Sequence, residues 1–184
     1  MTMNNPCSDN NCRHESHPHK GRKSVTLDLW KKDLLYDIKN LAYVDGETVA
    51  DVEVKKQVQD VGNDGNIDRV TRMLDLYHAE CVELLYAYTK EWMRPIDWED
   101  DTQKLPDLYH VIMWVPEDFS RTTVNMMVHC MHEYLVAKVL QDWLSIVNPQ
   151  AAHKWEEKAE TVKEQLQECV NRRIGRVRRR QSPF

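Results

Sequence analysis

The sequence predicts a mainly α-helical protein: a bundle of four to five helices with a small two-stranded β element. Three observations carry this. Apolar residues recur at intervals of three and four over Ile67–Trp92, and again over 117–147. Two short segments, 24–30 and 108–116, read instead as strands. Only five glycines are present, too few for the tight turns of an all-β fold with many short strands.

The chain opens on a polar stretch, residues 1–23, rich in Asn, Ser, His and Pro, with no periodicity and no apolar signal-peptide core. It reads as a flexible tail. "SVTLDLW" alternates Val25, Leu27 and Leu29 with polar neighbours and predicts a first strand. Trp30, Leu34, Ile38 and Leu41 then fall at helical spacing, and Gly46 in "VDGE" is placed to end that helix in a left-handed conformation. Val54, Val58 and Val61 favour a short helix, and "GNDGN" (62–66) reads as a turn.

The clearest periodic helix follows, through Ile67, Val70, Leu74, Tyr77, Cys81, Leu84, Tyr88 and Trp92, with Asn66 as N-cap and Pro95 as stop. Residues 95–107 are an acidic, proline-containing loop. "LYHVIMWVP" is β-branched and aromatic and should pair with "VTLDL". Pro116 is read as a helix start, with Glu117 and Asp118 in a first turn that favours acids. Apolar residues on several sides of 117–147, including Tyr134 and Trp143, mark the central buried helix, with Leu84 and Leu85 expected nearby. Asn148 and Pro149 begin a last helix whose stripe is Trp155, Ala159, Val162, Leu166, Cys169/Val170, Ile174 and Val177. The expected organisation is a tail over 1–23, a helical domain over 24–170 and an Arg-rich docking segment over 171–184.

Composition excludes several classes. No apolar run approaches the roughly 18 residues of a membrane span. Neither GxxxxGK nor GxGxxG is present, so no phosphate loop is expected. Five scattered cysteines do not make a disulfide framework and suit a reducing cytoplasm, with Cys81 and Cys130 as small core hydrophobes.

Two clusters have metal-ligand chemistry. Cys7, Cys12, His14, His17 and His19 are suitable zinc donors, but their spacing matches no zinc-finger pattern and nothing around them orients the donors. "HCMHE" places His129 and His132 one turn apart beside Glu133, without the order or spacing of HExxH, and predicts hydrogen-bonded histidines in or near the core. His78, His110 and His153 have no evident catalytic companion, and the carboxylates of "DWEDD" read as a solvated loop. No metal, no cofactor and no enzymatic centre are expected.

The charge distribution is the strongest functional signal. The chain carries a net charge of -5, but residues 1–23 are +2 and residues 171–184 are +6, which leaves -13 for residues 24–170. Six of the nine residues from Arg172 to Arg180 are arginine, and none is lysine. An Arg-rich segment can neutralise phosphates or fork onto carboxylates. Here an apolar stripe runs between the cations, as in a helix that inserts into a partner groove with arginine clamps at its rim. The expected partner-binding set is Leu166, Val170, Arg172, Arg173, Ile174, Arg176, Val177, Arg178, Arg179, Arg180 and Phe184.

The strings "LLYDIKNLAYVDGE", "DGNIDRVTRMLDLYHAECVELLYAYTKEW", "YHVIMWVPEDFSRTTVNMMVHCMHEYLVAKVLQDWLSIVNPQAAHKWEEKAE" and "RRRQSPF" share one cadence across residues 25–184. That cadence resembles small virion proteins of tailed phages of gut anaerobes, the crAss-like group. It is similar to their head–tail connector, or neck ring, proteins. The resemblance implies a helical bundle with a small β element, assembled into a homo-oligomeric ring, usually twelvefold, beneath the portal. It implies a C-terminal segment, here about Leu166–Phe184, that inserts into the portal or a neighbouring neck ring protein, in the virion after assembly in the host cytoplasm. DNA would pass through without specific binding, and no membrane would be involved. Residues 1–23 depart from the compact adaptor pattern. The alternative reading is a cytosolic helical regulator that binds nucleic acid through the arginine segment.

Overall fold

The computed structural model describes residues 22–85 and 107–171. Among them are two strands and five α-helices: β1 (Arg22–Trp30), α1 (Lys31–Glu47), α2 (Val52–Gln59), α3 (Asp64–Leu84), β2 (Leu108–Pro116), α4 (Arg121–Val147) and α5 (Pro149–Asn171). A short 3-10 turn, Asp60–Gly62, joins α2 to α3. The protein is therefore mainly helical, with one small antiparallel sheet.

β1 and β2 are far apart in sequence but pair along their whole length, from Arg22 opposite Pro116 to Trp30 opposite Leu108. The two-residue period of a strand sends alternate side chains to opposite faces. Leu27, Leu29, Tyr109, Val111, Met113 and Val115 are buried, while Thr26, Asp28, Trp30 and His110 are exposed. The pairs Val25–Met113, Leu27–Val111 and Leu29–Tyr109 close the inner face across the strands. Trp30 thus belongs to the strand and lies outside, 52% exposed, not on the buried stripe of α1. β1 also begins at Arg22, so Arg22 and Lys23 join the domain and not the tail.

Pro116 closes β2 and does not open a helix. The strand ladder holds its backbone opposite Arg22. A turn follows, in which Phe119 N–H donates to Pro116 O at 3.0 Å. The Lys23 ammonium donates to the carbonyls of Glu117 and Phe119 at 3.0 and 2.7 Å. Those contacts fix residues 117–119 as a turn, and helix begins only at Arg121, with Ser120 as N-cap.

α4 is the centre of the molecule. It packs against α1, α2, α3, α5 and β1. Four consecutive residues, Tyr134–Ala137, are buried, which requires neighbours on every side of the helix. Trp143 and Tyr134 are in the core, and so is Leu85, while Leu84 is half-buried against it. α5 lies along α4 through Ala152, Trp155, Ala159, Val162, Leu166 and Cys169, a stripe at helical spacing. Asn148 caps it, its side-chain oxygen accepting from Ala151 N–H at 3.3 Å.

α1 passes through Gly46 in helical conformation and ends at Glu47. Gly46 is instead a site of close approach: a Cβ there would lie 2.7 Å from Gln59 Cγ on α2. α2 is capped by Asp51, whose carboxylate accepts from Glu53 N–H and Val54 N–H. Asn63 occupies the N-cap position of α3, three residues before the expected Asn66, without a side-chain cap bond. The Asn66 side chain turns back and donates to Asp60 O at 2.8 Å, so it serves the 3-10 turn. α3 ends at Leu84; Tyr88, Trp92, Pro95 and the expected loop over 95–107, apart from Asp107, lie outside the described residues.

Candidate docking surface and the polar clusters of the bundle

α5 delivers the chain to the arginine segment. Its apolar stripe is already spent inside this molecule: Leu166 is fully buried, and Val170 is half-buried against the core. Leu166 is therefore a core residue that anchors α5 to α4 and is not free to enter a partner's groove. Arg172, Arg173, Ile174, Arg176, Val177, Arg178, Arg179, Arg180 and Phe184 lie outside the described residues, as do Cys7, Cys12, His14, His17 and His19.

The outer face of α5 is acidic. Glu156, Glu157, Glu160, Glu164 and Glu168 are all exposed. Glu164 and Glu168 line an open depression with Gln167 and Asn171 at the end of the helix, where the arginine segment begins. Partial neutralisation comes from Lys163, 3.2 Å from Glu160, while the His153 ring lies 3.2 Å from Glu156. Such exposed pairs contribute little to stability, so the ridge stays a negative surface.

Three polar clusters lie between the elements. The first joins α1 to α5. Asp45 is buried, and its carboxylate accepts from Trp155 Nε1 at 2.6 Å and from Lys154 Nζ at 2.7 Å. The Lys154 and Lys158 ammoniums also sit over the Trp155 ring, at 4.9 and 5.2 Å from its centroid. In the second, His132 on α4 bonds Asp37 on α1 at 2.8 Å, while Glu133 pairs with Lys158. His129 is exposed. His132 and Glu133 of "HCMHE" thus bond to different helices, Asp37 on α1 and Lys158 on α5. Among the described residues no group of three or more His, Cys, Asp or Glu side chains is arranged to hold a metal.

The third cluster joins α3 to β2. Tyr109 Oη donates to Asp75 at 2.6 Å. His78, one turn on from Asp75, packs against the Tyr109 ring, with centroids 5.1 Å apart. Burial and the Asp75 carboxylate push the Tyr109 phenol far above its ordinary range. Tyr134 is raised in the same way, by burial and by Glu80.

Cys81 and Cys130 are not poised for chemistry. Burial pushes the Cys81 thiol up to about 12 and the Cys130 thiol up to about 11, so both stay protonated at neutral pH. Cys81, Cys130 and Cys169 are all buried and free.

The Asp45, His132 and Tyr109 contacts are not legible as pairs in the sequence, because each joins residues about 30 to 110 positions apart. Asp45 alone left a signal. It falls in phase with Leu34, Ile38 and Ala42, on the buried stripe of its helix, where an acid requires a partner. No helix among the described residues is long and apolar enough to cross a membrane. Comparison of the chain with family models, with curated proteins and with solved structures gives no match.

Proposed function

We propose that this chain is a structural virion protein, a subunit of a homo-oligomeric ring in a phage neck that connects the portal to the tail and lines the DNA conduit. It acts without cofactor or metal and is not an enzyme. The observation that carries this reading is the division of charge. Residues 24–170, of net charge -13, end in a helix whose outer ridge is acidic, and that helix leads directly into a segment of net charge +6. An acidic wall repels duplex phosphates, so DNA slides past it without binding. The arginine segment is then the docking element, with Ile174 and Val177 packing against a portal or neighbouring ring protein and the guanidiniums pairing with its carboxylates. Because Leu166 is committed to the core, the docking element starts after α5, from Arg172 onward.

The rival is a helical regulator that binds nucleic acid through the same arginines. Electron microscopy and mass measurement of the purified chain separate a ring from a monomer or dimer. Two variants sharpen the choice. Ile174→Asp places a charge in the apolar contact and should abolish assembly with the partner ring, while Arg178→Ala should weaken it. If all six arginines instead gripped duplex phosphates, log K would fall against log salt with a slope of about -5. Normal assembly of Ile174→Asp, together with tight, steeply salt-dependent DNA binding, would overturn the connector reading.

A further inference from the structure

The imidazole of His78 is half-buried on α3. Its Nε2 is buried and has no hydrogen-bond partner. The ring is wedged at the seam between α3 and β2, against Tyr109. The groups facing it can be named. On its own helix there is Asp75, and on β2 there are Tyr109 and His110, whose backbone also bonds the ring. On β1, Asp28 stands opposite His110 in the sheet register. Asp75 is the carboxylate whose charge acts on His78, but the Tyr109 hydroxyl already occupies it at 2.6 Å.

We propose that His78 is an acid-sensitive latch between α3 and β2: neutral, it holds the seam closed, and protonated, it opens it. A charged ring would leave a cationic N–H buried without an acceptor, which is costly. It has two ways out. It can draw Asp75 away from Tyr109, or it can swing into solvent; both break the contact that pins β2 to α3. The direction of the pH dependence follows. Desolvation first, and the charge of His110 second, hold the His78 pKa below its ordinary value of 6.5. The opened seam therefore binds a proton that the closed seam refuses. The seam keeps its full stability above about pH 6.5 and loses it as the pH falls from there toward the depressed value.

The test is hydrogen exchange by mass spectrometry on the full chain from pH 7 to pH 5, corrected for intrinsic exchange rates. Peptides covering Tyr109–Val111 should lose protection, by at most about tenfold per pH unit, the limit for uptake of one proton. Peptides from the α4–α5 core should keep theirs, and His78→Gln should flatten the response. Unchanged protection at Tyr109–Val111, an equal loss in His78→Gln, or simultaneous loss throughout the core would each overturn the latch. An NMR titration of the wild-type ring keeps the test decisive if the variant does not fold. It should place the His78 pKa below 6.5, and a value at or above 6.5 would refute the proposal.

Discussion

Asp45 is the residue on which two helices depend. It brings a carboxylate to a buried position, and the fold answers with the Trp155 indole N–H and the Lys154 ammonium. Truncation leaves the indole donor without an acceptor and frees one side of the α1–α5 contact. Asp45→Ala should therefore lower stability by about 2–3 kcal/mol, read as a shift of the urea midpoint at unchanged slope. Asp45→Asn keeps an acceptor for Trp155 and loses only the charge facing a largely exposed lysine, so it should cost about 1 kcal/mol. Equal losses for the two variants would mean that the ion pair, not the indole bond, carries the contact. The His132–Asp37 bond is more exposed on both sides than the Asp45–Trp155 bond, and the same reasoning gives it a smaller weight.

At the scale of the element, α4 organises the bundle, and Trp143 shows how. Its ring is buried near the C-terminal end of the helix, and its Nε1 donates to Gln57 O on α2 at 3.2 Å. Arg69 of α3 lies over the same ring at 5.3 Å. One side chain of α4 thus touches two other helices. Trp143→Ala should destabilise the protein by about 3–5 kcal/mol, measured by thermal or urea unfolding. A variant that melts like the wild type would mean that this face of α4 is not the core. The elements whose ends were misplaced share a cause. Pro116, Asn66 and Gly46 each have a common role at helix ends, and each is redirected by a contact made elsewhere: the strand ladder, the Asp60 carbonyl and the approach of Gln59.

For the whole molecule, the core is supplied by apolar burial around α4, and the described polar clusters pair across helices without converging on a metal. Removal of metal should leave the fold intact. A structural zinc typically contributes about 10 kcal/mol or more to a small domain, so a chelator would collapse the melting temperature if one were present. Thermal melting with and without chelator should give superimposable curves, and a large drop would place Cys7, Cys12, His14, His17 and His19 in the fold after all. Charge is the other property of the whole chain. Its separation into an acidic body and a cationic end is what the proposed ring assembly rests on, and it is visible in the sequence alone.

The sequence by itself determined the helical class, the two strands and which faces are buried. These follow from local periodicity, which each segment carries in its own residues: Val25, Leu27 and Leu29 at period two, and Ala159, Val162 and Leu166 at period three to four. It also determined the charge division, a simple sum. Only the tertiary structure decided which element each apolar stripe would meet. The stripe of α5 reads equally well as a surface for a partner or as a face for α4. Packing spends Leu166 on α4, because burying that stripe within the chain costs no loss of translational freedom and a partner's groove does. Tertiary structure likewise placed His78 and Asp75 against Tyr109, since long-range polar contacts leave no periodic mark in the residues that make them.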